Sequence, residues 1–179
     1  MLTMMERETG NSVEIGNQQK IVMSGITYAV IDQYKDMVYR AALAAVGNFA
    51  DAEDIMQDVF FKYFKTQPEF ESKGHEKAWF LRVTINESKN LLRSSWRSRR
   101  MDAEMTKISG KTESREMSPV LEAVLSLPEK YRIVIYLYYY EGYQIREIAR
   151  ITSQSEAAVS QQMSRGRKKL EKLLGGTKK

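Results

Sequence analysis

Ile145-Arg146-Glu147-Ile148-Ala149-Arg150-Ile151-Thr152-Ser153-Gln154-Ser155-Glu156-Ala157-Ala158-Val159-Ser160 is the stretch that decides the fold. Ile145, Ile148, Ala149 and Ile151 recur at helical spacing. Thr152-Ser153-Gln154 breaks that pattern as a turn, and Ser155 is a good N-cap for a second helix reaching about Leu174. In this second helix Val159, Met163, Gly166, Leu170 and Leu174 share an inner face. Helix, short turn, helix is the helix-turn-helix unit, and Ala149 is small where its two helices must cross closely. Ser155, Glu156, Ser160, Gln161, Ser164, Arg165 and Lys168 are left outside. That order puts polar side chains first, for base edges, and cations later, for phosphates. The plain alternative is an ordinary helical hairpin with a basic surface. The small crossing residue, the turn length and the basic second helix together favour a DNA reader.

Working backwards, Ser118-Pro119 is an N-cap followed by proline at the first helical position, opening a short helix to Leu127. Pro128 starts another, which runs to about Glu141 and stops at Gly142. Met101 to Met117 is poor in large apolar residues and carries Gly110 among serines, threonines and mixed charges; it reads as a flexible linker. Before it, apolar positions of helical period occur from Ile26 to Val46, ending at Gly47-Asn48. They occur again from Ala52 to Lys65 behind an Asp51 cap, with Ile55, Met56, Val59, Phe60, Tyr63 and Phe64 inward. Lys73-Gly74 signals a turn within a loop from Phe70 to His75. A long helix follows from Glu76 to about Ser98, on which Trp79 has core spacing with Val83. Met1 to Lys20 shows no convincing period and reads as a mobile tail. The expected fold is all-α: two small helical domains joined by a flexible linker, the C-terminal one containing the helix-turn-helix.

Composition narrows the chemistry. The chain has 179 residues, no cysteine and one histidine, His75. That excludes disulfides and thiolate sites and leaves little room for a catalytic triad or a zinc site. No catalytic residue, metal or cofactor is expected. No apolar run reaches the length of a membrane span, and the N-terminus lacks the apolar middle of a signal peptide, so the expectation is a cytoplasmic protein without membrane insertion.

The net charge is +5, and its distribution says more than its size. Between Arg82 and Arg100, Lys89, Arg93, Arg97 and Arg99 join the two end residues against Glu87 alone. From Gly142 onward Arg146, Arg150, Arg165, Arg167, Lys168, Lys169, Lys172, Lys178 and Lys179 outnumber Glu147, Glu156 and Glu171. Asp51 to Phe60 holds Asp51, Glu53, Asp54 and Asp58 and no base. One charge run is usually a solvated helix face; two separate basic runs on helices point towards nucleic acid.

These residues resemble a known family. Leu127-Pro128-Glu129-Lys130-Tyr131-Arg132-Ile133-Val134-Ile135, Glu147-Ile148-Ala149 and Arg165-Gly166-Arg167-Lys168-Lys169-Leu170 resemble sigma-factor region 4. Asp51-Ala52-Glu53-Asp54-Ile55-Met56-Gln57-Asp58-Val59-Phe60 and Ala78-Trp79-Phe80-Leu81-Arg82-Val83-Thr84-Ile85-Asn86, ending in Leu92-Arg93, resemble region 2. The small size is similar to that of the extracytoplasmic-function (ECF) group of bacterial sigma factors. The resemblance implies a tail at 1–20, region 2 at 21–100, a linker at 101–117 and region 4 at 118–175. It implies core RNA polymerase as partner, held by Asp54, Gln57, Asp58 and Phe61. It implies a −10 element met as melted DNA by Asn86, Lys89, Arg93, Trp96, Arg97 and Arg100, and a −35 duplex met by the outer face of the last helix. An anti-sigma factor is implied as well. The sequence departs from the family pattern at the turn, where Ser153 replaces the usual glycine, followed by Gln154. Gln144 stands where Ser or Thr caps better, Ala157-Ala158 replaces a common Gly-Thr, and Ser160 replaces a frequent lysine. A stand-alone helix-turn-helix regulator is the first rival reading; it leaves the acidic helix unused. A module that sequesters a partner is the second, and an enzyme a distant third.

Overall fold

The computed structural model describes residues 28–101 and 118–175, the side chains of 95–101 excepted. The expected tail at 1–20 lies outside the described residues, as does the expected linker beyond Met101. Every described element is a helix: α1 (28–46), α2 (Phe49–Thr66), α3 (Lys73–Met101), α4 (Pro119–Leu125), α5 (Glu129–Tyr139), α6 (Ile145–Thr152) and α7 (Glu156–Gly175). The described residues fall into two compact units, 28–35 and 36–175. In the first, the Lys35 ammonium pairs with Asp32 at 2.6 Å, one turn back. All that follows concerns the second.

The corner between α1 and α2 is built by Gly47 and Asn48. Gly47 takes φ +82° and donates its N–H to Leu43 O at 2.8 Å, a close that residues with a Cβ rarely adopt. Asn48 is the N-cap of α2: its Oδ1 accepts the Asp51 N–H at 2.9 Å and its amide donates to the Asp51 carboxylate at 2.6 Å. The cap is therefore not Asp51, as the pattern suggested; Asp51 sits inside the first turn, where an acid suits the helix dipole. Ala52, Ile55, Val59 and Phe60 of α2 are buried, with Met56, Tyr63 and Phe64 half-buried beside them. The following loop is shorter than expected. Lys73 and Gly74 belong to the first turn of α3, because the Ser72 hydroxyl accepts the His75 N–H at 3.1 Å and Ser72 O the Glu76 N–H at 3.0 Å. Phe80, Leu81, Val83 and Ile85 of α3 are buried. The buried hydroxyls of Thr84 and Ser88 donate to the carbonyls four residues back, so neither is left unsatisfied.

In the C-terminal part Ser118 caps α4 as expected, accepting the Leu121 N–H at 3.3 Å, with Pro119 at the first helical position. Helix α5 is buried along every residue from Tyr131 to Leu137, which makes it the central rod of this part. Gly166 lets α7 lie against it: a Cβ there would fall 2.8 Å from Ile135 Cδ1. Val159, Met163 and Gly166 of α7 are buried as read from the sequence, but Leu170 is only half-buried and Leu174 is exposed. The inner face of α7 thus ends a turn earlier than its period suggested.

Candidate nucleic-acid interface

Helices α6 and α7 form the helix-turn-helix. Ile148, Ala149, Ile151 and Thr152 of α6 are buried. The Glu147 carboxylate accepts the Gln144 N–H at 2.8 Å, so the helix start is closed by Glu147. Ser153 takes the glycine place in the turn with φ 55°, in the left-handed region, and Gln154 N–H reaches back to Ala149 O at 2.9 Å. Ser155 caps α7, accepting the Ala158 N–H at 3.2 Å.

With Val159, Met163 and Gly166 pinned inside, Ser155, Glu156, Ser160, Gln161, Ser164, Arg165 and Lys168 all lie exposed on the other side. The structure brings this whole expected set onto one continuous helix surface. Beside it runs a groove of about 470 Å³ lined by Tyr138, Ile145, Ser160, Met163, Ser164, Arg167 and Lys168. Arg167 is held there over the rings of Tyr138 and Tyr139, at 5.3 and 5.5 Å from their centroids. Arg167 was absent from the expected set, and its signal was the run Tyr138-Tyr139-Tyr140 facing a basic helix.

On α3 the expected residues divide. Asn86 and Arg93 are exposed on one face. Arg82 and Asn90, absent from the expected set, share it by helical period, a signal the sequence carries. Lys89 is half-buried, and its ammonium donates to Thr152 O, the last carbonyl of α6, at 3.2 Å. The side chains of Trp96, Arg97 and Arg100 lie outside the described residues. Trp79 serves the core, as its spacing suggested: its ring packs edge-on against Tyr63, Phe70 and Phe80, with centroids 5.8, 5.9 and 5.2 Å away. Burial in this cluster, reinforced by Glu76, raises the Tyr63 phenol above its ordinary pKa.

On α2, Asp54, Gln57, Asp58 and Phe61 are all exposed and fall at i, i+3, i+4 and i+7, which puts them on one face. Phe61 is 68% exposed, a large apolar ring set among acids. Among the described residues no group of three or more His, Asp or Glu side chains is placed to hold a metal ion, and no helix is long and apolar enough to cross a membrane.

Comparison with known proteins matches both ends of this arrangement. Residues 30–98 match the family model of Sigma-70 region 2, and residues 118–170 that of Sigma-70, region 4. The ECF RNA polymerase sigma factor SigW of Bacillus subtilis (strain 168) is 28% identical over 162 residues, spanning 81% of this chain and 87% of SigW. The RNA polymerase sigma factor SigV of the same organism is 27% identical over 153 residues, spanning 84% of this chain and 92% of SigV. The fold is that of the sigma factor RpoE from Bartonella quintana, solved in complex with the anti-sigma factor NepR: TM-score 0.70 at 21% identity, over 84% of this chain and 98% of that one. Two region models in order, with a gap between them that falls on the expected linker, and relatives matched over most of their length lead to one assignment: this chain belongs to the extracytoplasmic-function sigma factors.

Proposed function

We propose that this chain binds core RNA polymerase and directs it to promoters carrying −35 and −10 elements, where it starts DNA melting. The observation that carries the reading is the surface of α7, a row of polar then basic side chains exposed on a helix whose other side is pinned in a helix-turn-helix core. Residues 118–175 act as region 4 and read the −35 duplex. Residues 21–100 act as region 2, with Asn86, Lys89, Arg93, Trp96, Arg97 and Arg100 meeting the −10 strand, and 101–117 link the two. Asp54, Gln57, Asp58 and Phe61 dock on polymerase; an acidic face with one exposed ring gives both electrostatic orientation and a desolvated anchor. A stand-alone DNA-binding regulator has no use for that second face. An anti-sigma factor is part of the proposal, as RpoE is held by NepR, and the place of action is the cytoplasm, where polymerase is.

The test is transcription in vitro with core polymerase from the source organism on fragmented genomic DNA, with and without the protein. Discrete new start sites sharing two upstream elements are expected. No new transcripts and no binding to core polymerase would overturn the reading in favour of the stand-alone regulator.

A further inference from the structure

Tyr138, Tyr139 and Tyr140 stand at the end of α5, and all are exposed, at 37%, 57% and 63%. Tyr140 turns back on its own helix: its ring stacks on Tyr136, with centroids 5.8 Å apart and planes at 19°. Tyr138 and Tyr139 meet edge to face instead, with centroids 5.1 Å apart and planes at 75°. Arg167 of α7 lies over both of these rings. The packing of α5 does not call for rings here, since its buried run ends at Leu137. Helix α5 also has no basic residue in its own last turn, the end of a helix that attracts cations, so the arginine from α7 complements that end.

A ring holds a guanidinium differently from a carboxylate. Stacking leaves the net charge in place and the N–H edge free to donate. It also restrains a side chain that otherwise samples many rotamers, so less ordering remains to be done when a ligand arrives. The place of Arg167 on α7 gives this a use. Arg167 falls at i+7 from Ser160 and i+3 from Ser164, and it lines one groove with these two serines, Lys168 and Tyr138. Tyr138 is therefore a wall supplied by α5 beside the row that α7 offers to DNA. A planar fork fixed at the edge of such a row suits a backbone phosphate, which accepts two parallel N–H bonds.

Resting on the promoter reading above, we propose that Tyr138 and Tyr139 are positioning residues for DNA: they hold the Arg167 guanidinium, still charged, at the edge of α7 to clasp one phosphate of the −35 duplex. Neither ring touches a base. Helix α5 takes part in recognition through a side chain of another helix. The contact fixes affinity and register on the duplex and carries no base preference of its own.

Binding of the full-length protein to a mixed-sequence DNA duplex, followed by fluorescence anisotropy of a labelled duplex over a range of salt, tests this. Arg167→Ala should weaken binding roughly fivefold at low salt and make the slope of log affinity against log salt shallower by about 0.9. Tyr138→Leu combined with Tyr139→Leu should weaken binding roughly threefold, the size of an exposed cation–π pair. Tyr138→Phe combined with Tyr139→Phe keeps both rings and should bind like the parent. In the Arg167→Ala background the double leucine change should have no further effect, a coupling that a general loss of structure would not show. Tighter binding by the double leucine variant would mean that the rings hold Arg167 away from DNA, and would overturn the proposal. So would a weakening that persists without Arg167, or a double phenylalanine variant as weak as the double leucine one. A parent that binds the duplex equally well with and without Arg167 and the two rings would sink this proposal and leave the promoter reading standing. A parent that binds no duplex even at low salt would overturn the proposal together with the −35 part of that reading.

Discussion

Replacing Gly166 by alanine sets two effects of similar size against each other. Inside a helix glycine costs about 1 kcal/mol relative to alanine, so on propensity the variant gains stability. Packing opposes it. The new Cβ would sit 2.8 Å from Ile135 Cδ1 and 3.2 Å from Tyr131 Cβ. The first atom ends a side chain that can rotate, but Ile135 is 2% exposed and has little free room to rotate into. The second is fixed to the backbone of α5, so the helices themselves must part by a few tenths of an ångström. Overpacking of this kind costs about 1–3 kcal/mol. The balance for Gly166→Ala is a loss of about 1 kcal/mol, and Gly166→Leu should lose about 3 kcal/mol or more. Urea denaturation of the full chain, followed by far-ultraviolet circular dichroism, measures it. Ile135→Val removes Cδ1, so in that background the alanine should cost at least about 0.5 kcal/mol less. A Gly166→Ala protein about 1 kcal/mol more stable than its parent, with no coupling to position 135, would mean that the α5–α7 contact is soft and that something else holds the α7 surface in place.

Four further outcomes are expected. Ser153→Gly should stabilise the protein by about 1 kcal/mol, since serine at φ 55° carries a left-handed strain that glycine does not; an unchanged urea midpoint would deny that strain. Lys168→Ala should weaken duplex binding uniformly across sequences and make the slope of log affinity against log salt shallower by about 0.9, whereas an unchanged slope would remove Lys168 from phosphate contact. Phe61→Ala should leave the urea midpoint within about 0.5 kcal/mol of the parent, because the ring is 68% exposed, while weakening core polymerase binding at least about tenfold; equal affinity would rule the ring out as an anchor. Burial, reinforced by Glu141 and opposed by Arg40, raises the Tyr136 phenol well above its ordinary 10.0. From about pH 10 upward the unfolded chain therefore holds fewer protons at this site than the folded one, and stability falls by up to about 1.4 kcal/mol per pH unit, the contribution being intact below that range. Tyr136→Phe should flatten the decline between about pH 10 and about pH 11 in urea midpoints; an unaltered decline would assign it to other groups.

What was legible in the sequence followed from local geometry, and what was not depended on partners far along the chain. Helix period together with cap and proline signals placed the seven helices, and the period placed the exposed row on α7, because burying Val159, Met163 and Gly166 leaves the other side no choice but solvent. Helix starts were harder. Asn48 and Asp51 are both good caps; the extended backbone of Asn48 after the left-handed Gly47 decided between them. Lys73-Gly74 looked like a turn, but the Ser72 hydroxyl captured a backbone N–H and started α3 there.

Two cations, Arg132 and Lys89, were visible as charges and invisible as contacts. Arg132 meets its α1 carbonyls across 88 and 87 residues, and Lys89 meets α6 across 63. A basic side chain in a DNA-binding protein has two kinds of negative partner, a phosphate and the carbonyl end of a helix, and composition cannot tell them apart. Lys89 has the second, the Thr152 carbonyl at the end of α6, and only the folded chain brings the two together.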